Sequence, residues 1–326
     1  MWNYIVRRLL YNIPVFLAII FLMMAALRVN DPVAATLSKN PSAEEIQAKR
    51  ELFGMDKHFV VQYVEFLGDI ARFWKYDARS WDQELPVNEM IANAVPASVA
   101  VMAPTLLVTT AIAICIGLVS AFNRGRVIDR TLMFVSVIGM SISVLVYIII
   151  GQYFGAHWPR MEFGSWPFKT SVDAAAGGGR WFFFKPSNWI AYCALPVIIN
   201  VIVALGYDTR FYRAVMVEET RKDYIRTARA KGASIRRVMF VHMLKNAMIP
   251  IITRIMISLP FVVTGSILVE VYFNIPGMGR TLITAINAKD FPVIQTFTAL
   301  FAAMFIASNI LTDVLYALAD PRVRLS

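Results

Sequence analysis

Apolar residues fall along this chain in long uncharged blocks, not in the short alternations of a soluble fold. The blocks cover 9–27, 98–122, 131–154, 189–207, 255–269 and 291–312. A helix of about 20 apolar residues crosses the hydrocarbon core of a bilayer, and most of these blocks reach that length. The fifth is short. It becomes long enough if its helix begins near Ala247, with Arg254 snorkelling toward the headgroups. The pattern predicts an all-α polytopic membrane protein with six transmembrane helices. Arg7 and Arg8 give the first block the basic start of a secretory leader, but the run is longer than an ordinary leader core. Arg28 also follows without a small-x-small cleavage site, so an uncleaved helix is the better reading.

The stretches between the blocks carry their own patterns. Residues 1–29 form the N-terminal span, 30–95 an extracytoplasmic helical segment, and 96–326 a five-helix core. In the outer segment, Ser42-Ala-Glu-Glu45 after Pro41 has capping-box spacing, and Gly54 is a natural stop. Val60, Val64, Leu67 and Phe73 then share one face of an amphipathic helix over 60–74. Loop 155–188 holds Trp158, Trp166, Trp181 and Phe182-Phe183-Phe184, as expected where a chain meets headgroups. Gly177-Gly178-Gly179 reads as a turn.

Composition agrees with this class: 58% of the 326 residues are hydrophobic and 17% charged, against about 25% charged in soluble domains. Charge then fixes the orientation. Arg124, Arg126 and Arg130 lie in loop 123–130, and Arg322 and Arg324 in the tail, whereas 30–95 carries seven Lys/Arg and eleven Asp/Glu. The positive-inside bias puts both termini in the cytoplasm. The net charge of +10 is therefore topological, and its distribution over short loops gives no nucleic-acid surface.

Candidate chemistry is sparse. Cys115 and Cys193 lie in apolar blocks, and His58, His157 and His242 show no ligand spacing. There is no P-loop, no His-Glu-x-x-His and no Gly-x-Ser-x-Gly, so neither a catalytic site nor a cofactor is expected in this chain. The ionisable residues at membrane depth are Arg254, Glu270 and Asp313, which are read first as structural pairs. A secondary transporter or channel is the alternative class, since it would need no docking helix.

The most informative polar stretch is 208–249, with ten Lys/Arg against four Asp/Glu. Within it, Thr227, Ala228 and Ala230 precede a break at Gly232, a shape suited to a peg that docks into a groove on a soluble partner. Helical spacing sets Tyr224, Ala228 and Lys231 along one side, with Arg221, Arg229 and Arg236 around it. Asp223, Arg226 and Thr227 complete the segment. Ala228 is expected to permit close approach of the partner, and Gly232 to end the helix through a backbone angle or a close contact.

These residues carry a resemblance. Asp223 to Pro250 is similar to the cytoplasmic loop of permeases from binding-protein-dependent ABC importers, whose general signature (the EAA motif) is Glu-Ala-Ala-x3-Gly-x9-Ile-x-Leu-Pro. Arg226-Thr227-Ala228 and His242-Met243-Leu244-Lys245 depart from that form in the manner of the peptide/nickel branch. Three further stretches agree with it: Val269 to Arg280, Asp290-Phe-Pro292 and Tyr316 to Arg324. The opening Tyr4 to Leu10, Leu52 to Asp56 and Gln62-Tyr63 fit as well, so the resemblance covers nearly the whole chain. The long loop after the first span resembles the B-type subunit of oligopeptide and dipeptide permeases. Tyr76-Asp77-Ala78-Arg79-Ser80 lacks the glycines usual there.

The resemblance implies an ABC importer type I permease fold in a bacterial plasma membrane. It implies a second permease subunit (a C-type paralogue), two ATPase subunits that hold ATP and Mg2+, and an extracytoplasmic solute-binding protein. The 221–231 helix would be the coupling lever, with Arg221, Asp223, Tyr224, Arg226, Thr227, Ala228, Arg229, Lys231, Gly232 and Arg236 as its residues. Glu270, Asn274, Pro276, Gly277, Gly279 and Asp313 are candidates for the path or a gate. Peptides lead among the solutes, ahead of nickel chelates and glutathione-like compounds.

Overall fold

A computed structural model describes residues 2–29, 43–52, 55–72, 78–172 and 179–319. Among them every extended element is a helix, and the sole bridge pairs Arg79 with Pro86. Ser42, Gly54, Phe73, Gly177, Gly178 and the stretch 320–324 lie outside the described residues. The helices are α1 (Trp2–Leu27), α2 (Ala43–Leu52), α3 (Phe59–Ala71), α4 (Val87–Phe122), α5 (Val127–Ser141) and α6 (Val144–Phe163). They continue with α7 (Pro186–Glu219), α8 (Asp223–Ala230), α9 (235–246), α10 (Met248–Tyr272), α11 (Met278–Ala288) and α12 (Phe291–Ala319).

Five of these, α1, α4, α7, α10 and α12, contain a stretch long and apolar enough to cross a membrane. The third expected span is not one straight helix. Block 131–154 is divided between α5 and α6, which bend by 89° and are together long and apolar enough to count as a sixth crossing if the pair is one span. No proline causes the bend. Ile142 turns to extended backbone (ψ 133°), and the Ser143 hydroxyl accepts the Leu145 amide at 3.4 Å as an N-cap, so a new helix starts where the old one stops. Two other boundaries move. The helix expected from 98 begins at Val87, after Pro86, and the one expected to end at 207 runs on to Glu219. The second extension carries Asp208, Arg210, Arg213, Glu218 and Glu219, so a criterion of uncharged runs stops before it.

Three apolar clusters surround α4, whose long axis passes through all of them. At one end Met90 and Ile91 meet Ile20, Met24, Met278 and Phe297. In the middle Ala97, Ala100 and Val101 meet Ile148, Leu195, Ile199 and Phe273. At the other end Leu118 and Ala121 meet Tyr212, Met216, Ile225 and Met243. Small residues allow close helix approach, as membrane packing requires. A Cβ on Gly117 would lie 3.0 Å from the Arg213 amide nitrogen of α7.

Charge pairs also bind the helices to one another. Arg213 of α7 meets Asp129 of α5 at 2.6 Å, and Asp129 also accepts from Ser120 and the Gly125 amide. Arg254 of α10 meets Asp208 of α7 at 2.7 Å, so Arg254 turns to a carboxylate inside the bundle and does not snorkel outward. Arg8 of α1 meets Asp313 of α12 at 3.1 Å. The structural reading of Arg254 and Asp313 thus holds in this geometry.

Candidate functional site

The basic segment folds as α8 laid across the ends of α4 and α7. An eight-residue helix has little stability alone, so packing must hold it. Ile225 and Ala228 are buried among Leu118, Ala121, Tyr212, Met216 and Val238. Burying the Ile225 side chain contributes on the order of 2 kcal/mol. The Tyr224 hydroxyl donates to the Glu219 carboxylate, which ties α8 to the last turn of α7. Burial, and then that carboxylate, raise the Tyr224 phenol above its ordinary range, so it remains a proton donor at neutral pH. The Arg229 guanidinium lies 5.9 Å over the Phe122 ring.

This geometry corrects the expected docking face. Ala228 points into the chain's own core and Tyr224 is half-buried, so only Lys231 of that trio faces out. The reason is the apolar pair at 225 and 228, three residues apart, which outweighs the small-residue pattern in setting the helix roll. The opposite face, Asp223, Arg226, Thr227 and Ala230, is exposed. Asp223 and Arg226 side chains retain 94% and 79% of their accessibility and sit 3.7 Å apart, a solvated contact worth little. Arg221 and Arg236 are exposed at the two ends of the segment.

Gly232 closes α8 in a left-handed conformation, φ +77°, with its amide bonded to the Arg229 carbonyl and the Ala233 amide to the Ala228 carbonyl. Nothing lies within 4 Å of where its Cβ would be. Of the two reasons weighed for this glycine, the backbone angle holds, and no close contact within this chain requires it. Ser234 then caps the start of α9, accepting the Arg237 amide at 3.4 Å.

A second constellation lies toward the far end of α4, around Glu270. α10 breaks at Gly265 (φ +77°) and resumes at Ile267, turning Glu270 into the protein, where it is 1% exposed. Its carboxylate accepts the Ser98 hydroxyl at 2.7 Å and the Arg280 amide at 3.1 Å, while Ser98 accepts the Met278 amide at 2.8 Å. Cβ atoms on Gly265 or Gly277 would strike the carboxylate, and one on Gly279 would lie 3.0 Å from Ile267. Asn274 holds a left-handed turn (φ 56°) and donates to the Val172 carbonyl at 2.8 Å, and Pro276 is exposed beside it. Five of the six path candidates therefore converge here, and Asp313 stands apart, paired with Arg8. No group of three or more His, Cys, Asp or Glu side chains forms a metal site among the described residues.

Two contacts escaped sequence reasoning. The Ser80 hydroxyl donates to Asp290, whose other oxygen accepts the Trp81 amide at 3.1 Å, and Trp81 packs 5.3 Å from Phe291. Asp290-Phe-Pro292 and the 76–80 stretch were both visible as motifs, but nothing in either indicated the other. The Arg213–Asp129 pair left the same kind of faint signal, two charges beside apolar blocks.

Comparison with known proteins agrees with this architecture. Residues 113–325 match the family described as binding-protein-dependent transport system inner membrane component. Residues 1–102 match the N-terminal part of such membrane components. The gap between the two matches falls inside α4, which runs unbroken from one to the other. Among similar chains, a protein of Sinorhizobium fredii named as a peptide ABC transporter permease, y4tP, is 31% identical over 98% of this chain and 99% of its own length. A Brucella abortus protein named as a peptide transport system permease is 30% identical over 98% of each. The di/tripeptide transport system permease DppB of Pseudomonas aeruginosa is 30% identical over 99% of each. Five to six hydrophobic crossings, a basic helix seated across two of them and a full-length match together make this chain a member of the binding-protein-dependent inner-membrane permeases, the permease subunit of an ABC importer with the type I fold.

Proposed function

We propose that this subunit forms half of a path for peptides, driven through α8 by two ATPase subunits in the cytoplasm. The observation that carries the reading is α8 itself, whose apolar side is sealed to α4, α7 and α9 while Asp223, Arg226, Thr227 and Ala230 face away from the chain. A push on such a helix is delivered to the ends of α4 and α7 as a rigid-body motion, the kind that switches access between two sides of a membrane. Arg221, Arg229, Lys231 and Arg236 surround the exposed face with positive charge, suited to acidic groups on an ATPase rim.

In this arrangement both termini and α8 lie in the cytoplasm of a bacterium, and the Glu270 constellation lies toward the outside, as the distribution of Lys and Arg favours. A C-type paralogue supplies the second half of the path, since α5 to α7 present wide apolar faces and six crossings enclose too little space for a peptide. A solute-binding protein delivers the solute from outside. ATP and Mg2+ are held by the ATPases, with no cofactor in this chain. The peptide assignment follows the relatives' names. Uptake of a radiolabelled tripeptide by cells expressing the complete transporter tests it: accumulation that depends on this subunit supports the assignment, and undiminished accumulation in its absence removes it.

A further inference from the structure

A cavity of about 280 Å³ opens between the start of α4 and the turn leading into α11. Gln83, Asn93, Thr281 and Thr284 supply neutral polar groups to its wall, Pro276 an apolar edge, and Arg280 the only charge among the described residues. Arg280 is half-buried, and its guanidinium gives one hydrogen bond, to the Asn274 carbonyl at 2.9 Å. It forms no ion pair among the described residues, and the nearby Glu270 carboxylate is already engaged by Ser98 and by the Arg280 backbone. Burial lowers the Arg280 pKa from its ordinary value, with no acidic partner to offset it. A guanidinium carries five N–H donors, so most of them remain available toward the cavity. Desolvating a cation without a partner is unfavourable, and two other half-buried cations of this chain are paired, Arg213 with Asp129 and Arg254 with Asp208.

We propose that this cavity binds the carboxylate end of a solute on its way to the path, with Arg280 as the fork that grips it. A planar guanidinium matches a carboxylate in bidentate geometry, and the hydroxyl of Thr284 can donate to the same oxygens, while that of Thr281 is held by the Gly277 carbonyl at 2.8 Å. The volume lies just below that of pockets that enclose whole ligands, so it suits one end of an extended molecule. This inference rests on the peptide reading for the identity of the molecule, though not for the chemistry of the site.

The test uses the full transporter complex in detergent, with exposed Cys115 replaced by Ser and a single cysteine placed on the cavity wall by Thr284→Cys. Modification rates are measured with a sulfonate-bearing and a trimethylammonium-bearing methanethiosulfonate. The anionic reagent should react about tenfold faster than the cationic one, the ratio should fall close to one with Arg280→Gln, and Arg280→Lys should retain it. Trialanine should protect the cysteine, and trialanine amide should not. Equal rates for the two reagents with Arg280 present would overturn the site, and so would equal protection by the amide. Protection by the binding protein alone, without tripeptide, would assign the cavity to a protein contact and overturn the solute role. A charge preference with trialanine protection in a transporter that accumulates no peptide would remove the peptide reading and leave the carboxylate site standing.

Discussion

Arg254 and Asp208 meet at 2.7 Å across the interface of α10 and α7, the two spans that flank α8 in the chain. The pair is a direct charge-assisted tie between the two helices. Removing one partner leaves the other charged and only partly solvated, which costs more than removing both.

Asp208→Ala should therefore lower the stability of the purified subunit by about 1–3 kcal/mol, the exposure of Arg254 reducing the full buried-pair penalty. Asp208→Ala combined with Arg254→Leu should recover part of that loss. Thermal unfolding in detergent checks both, and a double variant less stable than the single one would show that the pair does not act as a unit.

The two kinds of glycine make a second comparison. Gly277→Ala drives a Cβ into the Glu270 carboxylate and should cost about 1–3 kcal/mol as overpacking, together with most transport. Gly232→Asn meets open space and only asks for a left-handed angle that asparagine tolerates, so it should remain close to wild type. Gly232→Val should cost about 1–2 kcal/mol through backbone strain alone. Melting curves of the three variants separate collision from strain, and a Gly232→Asn protein as unstable as Gly277→Ala would contradict the assignment.

A third prediction concerns the tie between the segment before α4 and the start of α12. Asp290→Ala releases the Ser80 hydroxyl and the Trp81 amide together, leaving two donors without their acceptor. A stability loss of about 2–4 kcal/mol is expected, with Ser80→Ala costing only about 1–2 kcal/mol because the Trp81 bond survives. Equal losses for the two substitutions would mean that the Trp81 amide contributes nothing.

Much of this was legible in the chain. Five of the six uncharged blocks gave helices able to cross and the other gave the bent pair α5 and α6, and the run from Asp223 to Gly232 gave α8 within two residues at its start. The bend at Ile142-Ser143 was not legible, because an uncharged block reads the same whether its helix is straight or bent by 89°. The roll of α8 was misread for a related reason. Both Ile225 and the small residues suggest an inward or close-packed side, and only the presence of Leu118, Ala121 and Met216 beneath the helix decides which core they join. The gathering of Gly265, Gly277, Gly279 and Ser98 on Glu270 depends on contacts 172 residues apart, which no local pattern carries.

The central claim is that the exposed side of α8 is the coupling surface and Ala228 is not on it. Ala230→Trp adds bulk to the exposed side without changing charge, whereas Ala228→Trp adds it to the core. The measurement is the recovery of both ATPase subunits with affinity-purified permease, alongside the permease's own melting temperature. Ala230→Trp should lose the ATPases while melting as wild type does, and Ala228→Trp should melt several degrees lower. Full retention of both ATPases by Ala230→Trp, at unchanged melting temperature, would contradict the account.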